Sequence, residues 1–546
     1  MIKILLSSFL IVFFYTPFGI FFERLKNNSS FSLQLLYATI VLSFIALTLN
    51  FLTPLNKLAS TIILIFSLII LYKNKELYFS RKYLKFCLIS SIIIFLYIAC
   101  SNVYRPDAGL YHLPYIDILN NEKIIFGLSN IHFRFAHTSI IQYLSAISNN
   151  YLIGTNGIVY PAALIGTLSI IYYCSEINKN IKIKKFSFLL FFNFFILIYI
   201  LYKLNRYSEF GNDGPSHLLF FILVSEIIKN LKSYSPDKIS KYFLLSIFIF
   251  MNKIILILSI IFPFIFLIKK FSLSFLNKKF LFCILFLSLW TIKNLIISGC
   301  ILYPLKNSCI KNLPWVDLAK AEKVSIENEA WAKGWPDFRK NNKNITQNEY
   351  NKKFLWVETW LKNHFINIVK ILSPYFIFLN LIIIILFKNF KKYEITNLKI
   401  FLIFLSLLGT TMWFYKVPTY RYGYSYIIIF FALFYSLLIK NIELNNKVSK
   451  LIKSTLTVLL MIFIFKNLYR IVSHDNSYNN YPWPKYYSYE KNNDKNDIKY
   501  KIINQKKIFY SENDYCMYGN SPCGISFENL NIKLYKNYYF FELLKS

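Results

Sequence analysis

Several kinds of site are missing from this sequence. It has no Walker A sequence, no Rossmann glycine fingerprint and no nucleophile elbow. That removes the usual soluble cradles for nucleotides, so an activated donor for any transfer chemistry would be lipid-borne. No tight metal-ligand spacing such as HExxH occurs. Histidine is scarce at six residues, and acids number 27 against 62 lysines and arginines. No Gly/Ser linker or low-complexity spacer divides the chain, and no internal repeat stands out, which counts against a secondary transporter. No small-residue cleavage site follows the apolar residues 4–22, which read as a retained helix.

What is present is apolar, and it comes in blocks. Hydrophobic residues make up 56% of the 546, with a mean hydropathy of +0.43. That is too apolar for one soluble domain. A helix needs about 20 apolar residues to cross a bilayer core. Such runs lie near 4–22, 33–53, 58–73, 84–100, 154–174, 186–204 and 215–229, and again near 280–298, 366–388, 399–414, 422–439 and 453–468. The stretch 242–268 lies between two basic loops, so it must enter and return, as two short helices broken around Asn252-Lys253.

The net charge of +35 does not point to nucleic acid. The lysines sit in short loops between apolar runs, as the positive-inside rule requires. Abundant Ile, Asn, Lys, Phe and Tyr also fit an AT-rich genome. Basic loops at Glu23–Lys26, Lys73–Lys85, Lys179–Lys185, Lys229–Lys241 and Lys269–Lys279 read as cytoplasmic. The sequence therefore predicts an all-α polytopic membrane protein of about fourteen transmembrane segments. Residues 1–468 form the membrane domain, with outer loops 101–153, 205–214, 299–364 and 415–421, and residues 469–546 form a small cap on the outer face.

Two close cysteine pairs fall on that same outer side: Cys300 with Cys309, and Cys516 with Cys523. The outer side of a bacterial inner membrane is oxidising, so both can be disulfides there or remain unpaired thiols. Cys87, Cys100, Cys174 and Cys283 lie in or beside apolar runs and read as core fillers. In the outer loops, Phe135–Ser148 and Lys353–His364 have helical spacing of apolar residues. Trp356 and Trp360, four apart, share a face that suits a helix lying in the membrane interface.

The scarce acids and histidines cluster on that side too. Asp107 lies between Pro106 and Gly109, a pattern that predicts a turn at the membrane edge. A carboxylate there can take a proton from a hydroxyl or bind a metal; it can also simply form the turn. Asp213 lies in Gly-Asn-Asp-Gly-Pro, which opens a membrane helix that it can cap, with His217 one turn in and Glu209 just before. His112, His132, His137 and His217 all fall near these two aspartates. Asp107, Asp213 and His217 are thus candidates for a divalent metal such as Mg or Mn. Lys253 at the helix break, Lys293 in Trp-Thr-Ile-Lys-Asn, and Arg421 after Pro418 are candidate cations for a lipid phosphate, against the plain reading of snorkelling interfacial residues.

These residues resemble the GT-C superfamily of integral-membrane glycosyltransferases, in particular bacterial relatives of protein mannosyltransferases and of the aminoarabinose transferase. The resemblance rests on Asp107, Tyr111 and His112 followed by Phe135–Ser148, and on Asp213 in a later loop. The segment Ile297–Pro304 and the pair Pro418 and Arg421 extend it, covering roughly residues 84–440. Three extra apolar runs precede the acidic loop, and a single aspartate stands where the family has a pair. The resemblance implies transfer of a sugar from a polyprenyl-phosphate donor to a glycan, lipid or protein acceptor at the periplasmic face of the inner membrane. Asp107 would be the general base. Asp213 and His217 would orient the acceptor or a metal, with Arg105, Tyr111 and His112 lining the substrate. Lys253, Lys293 and Arg421 would hold the phosphate. A surface-polysaccharide polymerase or ligase would share that site, whereas a transporter or flippase would place its polar residues near the bilayer midplane.

Overall fold

A computed structural model describes residues 1–24, 30–101, 106–137, 139–183, 188–203, 211–231, 235–269, 275–342, 344–386, 397–439, 446–484, 498–527 and 529–544. The apolar blocks become helices, which is what a chain in lipid must do to bond its own backbone. Several begin at a side chain that satisfies the first orphan amides: Ser30 accepts from Leu33 N, Asn56 from Ala59 N, Ser80 from Tyr83 N and Asn277 from Phe280 N.

Among the described residues, eight helices are long and apolar enough to cross a membrane: Ile2–Phe21, Phe31–Asn50, Thr155–Lys182, Lys278–Ser298, Trp356–Leu386, Asn397–Lys416, Tyr420–Leu438 and Asn446–Val472. Phe188–Lys203 and Ile254–Leu267 are shorter apolar helices. Their surroundings differ. The apolar window of Thr155–Lys182 is 89% buried within the chain, whereas that of Asn446–Val472 is only 17% buried. The first is therefore a central helix, and the second turns most of its Leu, Ile and Phe outward, as a lipid-facing helix does.

The helix Asp213–Asn230 lies among Tyr160–Lys182, Pro236–Asn252 and Tyr420–Ile439. Pro236–Asn252 packs in turn on Lys278–Ser298. The expected break occurs where it was placed. Pro236–Asn252 stops at Lys253, whose backbone is extended (φ −150°, ψ 103°), and the chain returns through 3-10 turns at Ile254–Ile260 and Phe262–Phe264.

The C-terminal segment departs from the all-helical expectation. It forms two antiparallel hairpins, β1 (Ile498–Ile503) with β2 (Lys506–Ser511) and β3 (Leu530–Tyr535) with β4 (Tyr538–Leu543). Each has a two-residue turn, Asn504-Gln505 and Lys536-Asn537, with all four φ values between 46° and 68°. Left-handed pairs of this kind match the twist of the strands. Asparagine tolerates that conformation, but neither turn carries the Asn-Gly pair that announces it in a sequence.

The cap seats on the Asp107 loop rather than standing apart. Phe126 N donates to Tyr539 O at 2.9 Å, Ile525 N to Ile131 O at 2.8 Å and Met517 N to Gly109 O at 3.0 Å. A Cβ on Gly109 would lie 2.4 Å from Met517 Sδ, so any larger residue there would have to displace the Met517 side chain. Disulfides join Cys516 to Cys523 in the cap and Cys300 to Cys309 in the loop after Lys278–Ser298. Cys87, Cys100 and Cys283 are buried thiols and Cys174 is half-buried.

Two expected interfacial helices have other roles. The stretch Phe135–Ser148 is a 3-10 turn, Phe133–His137, and a short helix, Ile141–Ile147, whose seven residues are all buried, so it has no face for the interface. Trp356 and Trp360 do share a face, but they lie inside the protein at the start of the long helix Trp356–Leu386. Trp360 Nε1 donates to Pro418 O at 2.6 Å, which ties that helix to the segment just before Arg421.

Candidate functional site

The charged residues that flank the apolar helices converge on one cavity. It has a volume of about 290 Å³ and is lined by side chains from the Asp107, Asp213, Lys253 and Arg421 segments and from the loop after Lys278–Ser298.

Asp107 does not sit in a turn. Its backbone is helical (φ −50°, ψ −31°), and it leads into a π-helical turn, Ala108–His112, followed by Leu113–Asn121. Pro106 suits the first turn of a helix, so the Pro-Asp-x-Gly pattern marks a helix entry here. The π turn widens the helix where Gly109 meets Met517 of the cap, and such bulges recur at functional sites. Asp213 is the first residue of Asp213–Asn230, where the helix dipole favours a carboxylate.

Arg421 ties the two aspartates together. Its Nη1 donates to Asp107 Oδ2 at 3.1 Å across 314 residues of sequence, and its Nε lies 4.0 Å from Asp213 Oδ2. Asp213 Oδ1 pairs with Lys253 Nζ. Lys253 and Arg421 also stand over the Tyr422 ring, 4.3 and 4.9 Å from its centre, and Arg421 Nη2 donates to the Tyr422 hydroxyl at 2.9 Å. Asp107 Oδ1 has no hydrogen bond among the described residues. The two carboxylates are thus in different states: Asp213 has a cation at each oxygen, and Asp107 keeps one oxygen for another partner.

The backbone behind these side chains is pinned. His217 is wholly buried and does not line the cavity. Its Nε2 bonds Arg421 O at 2.9 Å, so that nitrogen carries the proton, and Nδ1 accepts from Ser425 Oγ at 2.6 Å. The residue expected to contact acceptor or metal instead fixes the Arg421 backbone. Asn252 Oδ1 accepts from Ser139 Oγ at 2.6 Å and Ile141 N at 3.0 Å, which locks the break before Lys253 to the short helix Ile141–Ile147.

His112 lines the cavity with its Nδ1 accepting from Gln142 Nε2 at 2.8 Å, and the amide is oriented by Ser139 N, which donates to Gln142 Oε1. Burial pushes the His112 imidazole down to about 4, against the opposing pull of Asp107. Burial, helped by the Arg134 charge, lowers His132 and His137 to about 3. Burial also raises the Tyr111 phenol; Asp107 adds to that rise and Arg134 opposes it. Lys293 is buried behind the wall, with Nζ 5.5 Å from the Trp290 ring centre; Trp290 and Asn294 line the cavity and Lys293 does not. Arg105 and Glu209 lie outside the described residues.

Asp107, Asp213 and His217 do not fit a divalent-metal site as they stand. Both ring nitrogens of His217 are taken, and the carboxylates converge on cationic side chains rather than on a common point. Among the described residues no group of three His, Cys, Asp or Glu is placed to hold an ion.

Sequence reasoning missed Arg134, Asn328 and Trp331 on the cavity wall, and gave no site role to Tyr303 within the Ile297–Pro304 segment. Arg134 sits between His132 and His137, two of only six histidines, and that spacing is the signal that marks it in the sequence.

Eight membrane-length apolar helices among the described residues mark a membrane-associated protein, with a charged cavity where several of its helix ends meet. Residues 1–428 match the family described as a domain of unknown function, DUF8201, and the chain belongs to that family. No curated protein and no solved structure matches it.

Proposed function

We propose that this chain is a polytopic membrane glycosyltransferase that moves a sugar from a polyprenyl-phosphate donor to an acceptor hydroxyl at the periplasmic face. The observation that carries the reading is the joining of Asp107 and Asp213, from distant segments, through Arg421 and Lys253 in one cavity at the end of the bundle.

In this reading Asp107 is the base. Its Oδ1 accepts the proton of the acceptor hydroxyl as the acceptor oxygen bonds to the sugar C1. The bond between C1 and the phosphate oxygen breaks, and its electron pair leaves on the lipid phosphate. Arg421 sits beside the base and can follow the charge from carboxylate to departing phosphate, with Lys253 as a second cation. Asp213 positions both cations. Tyr111, His112 and Trp290 shape the walls.

The same features support a periplasmic orientation for the site. Both disulfides and the hairpin cap lie toward the Asp107 end. The basic segments around Lys75–Lys85, Lys179–Lys182 and Lys278–Lys279 lie at other helix ends, as cytoplasmic loops do. In this reading the chain makes about fourteen crossings, the shorter helices adding to the eight long ones found among the described residues.

The test is transfer of labelled sugar from a panel of polyprenyl-phosphate sugars by the purified protein. Transfer that disappears in Asp107→Asn, with melting unchanged, supports the reading. No turnover with any donor, or turnover indifferent to Asp107, ends it and puts a transporter in its place.

A further inference from the structure

The charges lining the cavity do not balance. Asp107 and Asp213 stand against Lys253, Arg421 and Arg134. Two of those cations are engaged by the two carboxylates. Arg134 is not: among the described residues it makes no ion pair and no side-chain hydrogen bond. Its guanidinium instead lies over two rings, 5.2 Å from the centre of Tyr111 and 5.4 Å from that of Phe133. Stacking occupies the faces of a guanidinium and leaves its five N–H donors, which lie in the plane, for a ligand.

The position of Arg134 narrows the ligand. The cavity has two kinds of wall. Lys253, Ile254, Ile255 and Trp290 come from the helix break and from a membrane-length helix. Arg134 belongs to the other wall. Its neighbours Phe133 and Ala136 pack with Cys300, Tyr303 and Cys309 of the polar loop that follows Lys278–Ser298, and His137 meets Tyr303 ring to ring at 5.2 Å. An anion reaching Arg134 meets the loop side of the cavity, away from the break where a lipid carrier would lie. Tyr111 sits between, facing Arg134 on one side and the Asp107 cluster on the other. The imidazoles beside Arg134 are neutral at pH 7, so they neither compete with it for an anion nor replace it.

We propose that Arg134 is a separate anion-binding residue that takes a carboxylate or phosphate group of the ligand. It would make the site selective for an acidic saccharide approaching from the loop side. That the ligand is a saccharide, and that it is the acceptor, rests on the glycosyltransferase reading; the anion binding does not.

The experiment is equilibrium binding to the full-length protein in detergent, without turnover. The probes are tetragalacturonate, its neutral methyl ester and farnesyl phosphate, each titrated into wild type, Arg134→Met and Arg134→Lys, with melting followed in parallel. Loss of a charge-assisted, forked contact is expected to weaken tetragalacturonate by about tenfold or more in Arg134→Met. Arg134→Lys should recover part of it, and the methyl ester should be indifferent. A loss confined to farnesyl phosphate keeps Arg134 as an anion site but overturns its selectivity for a loop-side saccharide. Equal binding of both anions by wild type and folded Arg134→Met, no binding of either by wild type, or an equal loss of the neutral ester overturns the proposal. Arg134→Lys carries the test if Arg134→Met does not fold. Arg134-dependent binding without sugar transfer would remove the transferase reading and leave this one. Transfer with unchanged acceptor KM in Arg134→Met would do the reverse.

Discussion

The helix Asp213–Asn230 carries charge at both ends, and the two ends are built differently. At one end Asp213 joins Lys253, Arg421 and Asp107 around a cavity. At the other, 13 residues and about 20 Å along the axis, Glu226 shares Lys229 with Glu176 of the neighbouring helix, at 2.9 and 3.0 Å. Tyr172 donates to Glu226 at 2.7 Å, and Asn230 donates to the Tyr242 hydroxyl at 2.7 Å. None of these residues lines the cavity. Buried charge alone therefore does not mark a site in this protein. The second cluster closes on itself, whereas the first keeps a carboxylate oxygen and a stacked guanidinium directed to no partner among the described residues.

The sharpest way to break the contrast is to remove the central cation at each end. Arg421→Met leaves Asp107 and Asp213 without their link, and transfer is expected to fall by about a thousandfold or more. Lys229→Met should leave turnover per folded molecule within about twofold, though it leaves Glu176 and Glu226 facing each other. Equal loss of turnover in both variants, measured on protein of matched melting temperature, would mean the two ends are one functional unit.

A finer cut separates the two aspartates. Asp107→Asn should lower kcat by about a hundredfold or more while melting barely moves, because among the described residues Asp107 is paired on one oxygen only. Asp213→Asn removes the carboxylate beside both Lys253 and Arg421, and a broken ion pair in so buried a place costs about 3 kcal/mol. It should therefore lower both kcat and the melting temperature. An Asp213→Asn protein as stable as wild type would show that Lys253 does not need this carboxylate.

Acid should act on one end more than on the other. His112, His132 and His137 are held at about 4, 3 and 3, below the 6.5 of a free imidazole. Between pH 6.5 and those values the unfolded chain binds protons that the folded chain does not. Stability is thus full above pH 6.5 and is lost as pH falls toward 4, by roughly 2 kcal/mol per histidine at pH 5. Melting followed from pH 7.5 to 5 should drop, and His112→Gln should flatten the drop. A pH-independent melting temperature would contradict the burial of these rings.

Much of the site end was legible because its chemistry is rare in an apolar chain. Asp107, Asp213, Lys253 and Arg421 stood out as charges beside membrane runs, and the break at Asn252-Lys253 followed from two basic loops flanking one apolar stretch. What joins them was not legible. The Arg421–Asp107 contact spans 314 residues, and no local pattern encodes it. Local pattern also misled: the apolar spacing of Phe135–Ser148 reads as one amphipathic helix, but the polar residues Gln142 and Ser145 turn inward to buried partners or surroundings, so no face is left for the interface. Arg134 could be seen only once the other cations had found carboxylates, since its significance lies in having none among the described residues.

The smallest expected effect tests the closed end from within. Lys229 serves two glutamates, and its side chain is 23% exposed, so water already shares its charge. Neutralising one glutamate leaves the other pair intact and relieves repulsion between the two acids. Glu176→Gln should therefore shift stability by less than about 1 kcal/mol. Lys229→Met, which strands both carboxylates, should cost about 3 kcal/mol. The double variant should be less unstable than Lys229→Met alone, because one stranded charge has gone. Denaturation of the four proteins gives the coupling directly. A double variant at least as unstable as the sum of the singles would mean that Glu176 supports the helix pair through packing and not through Lys229.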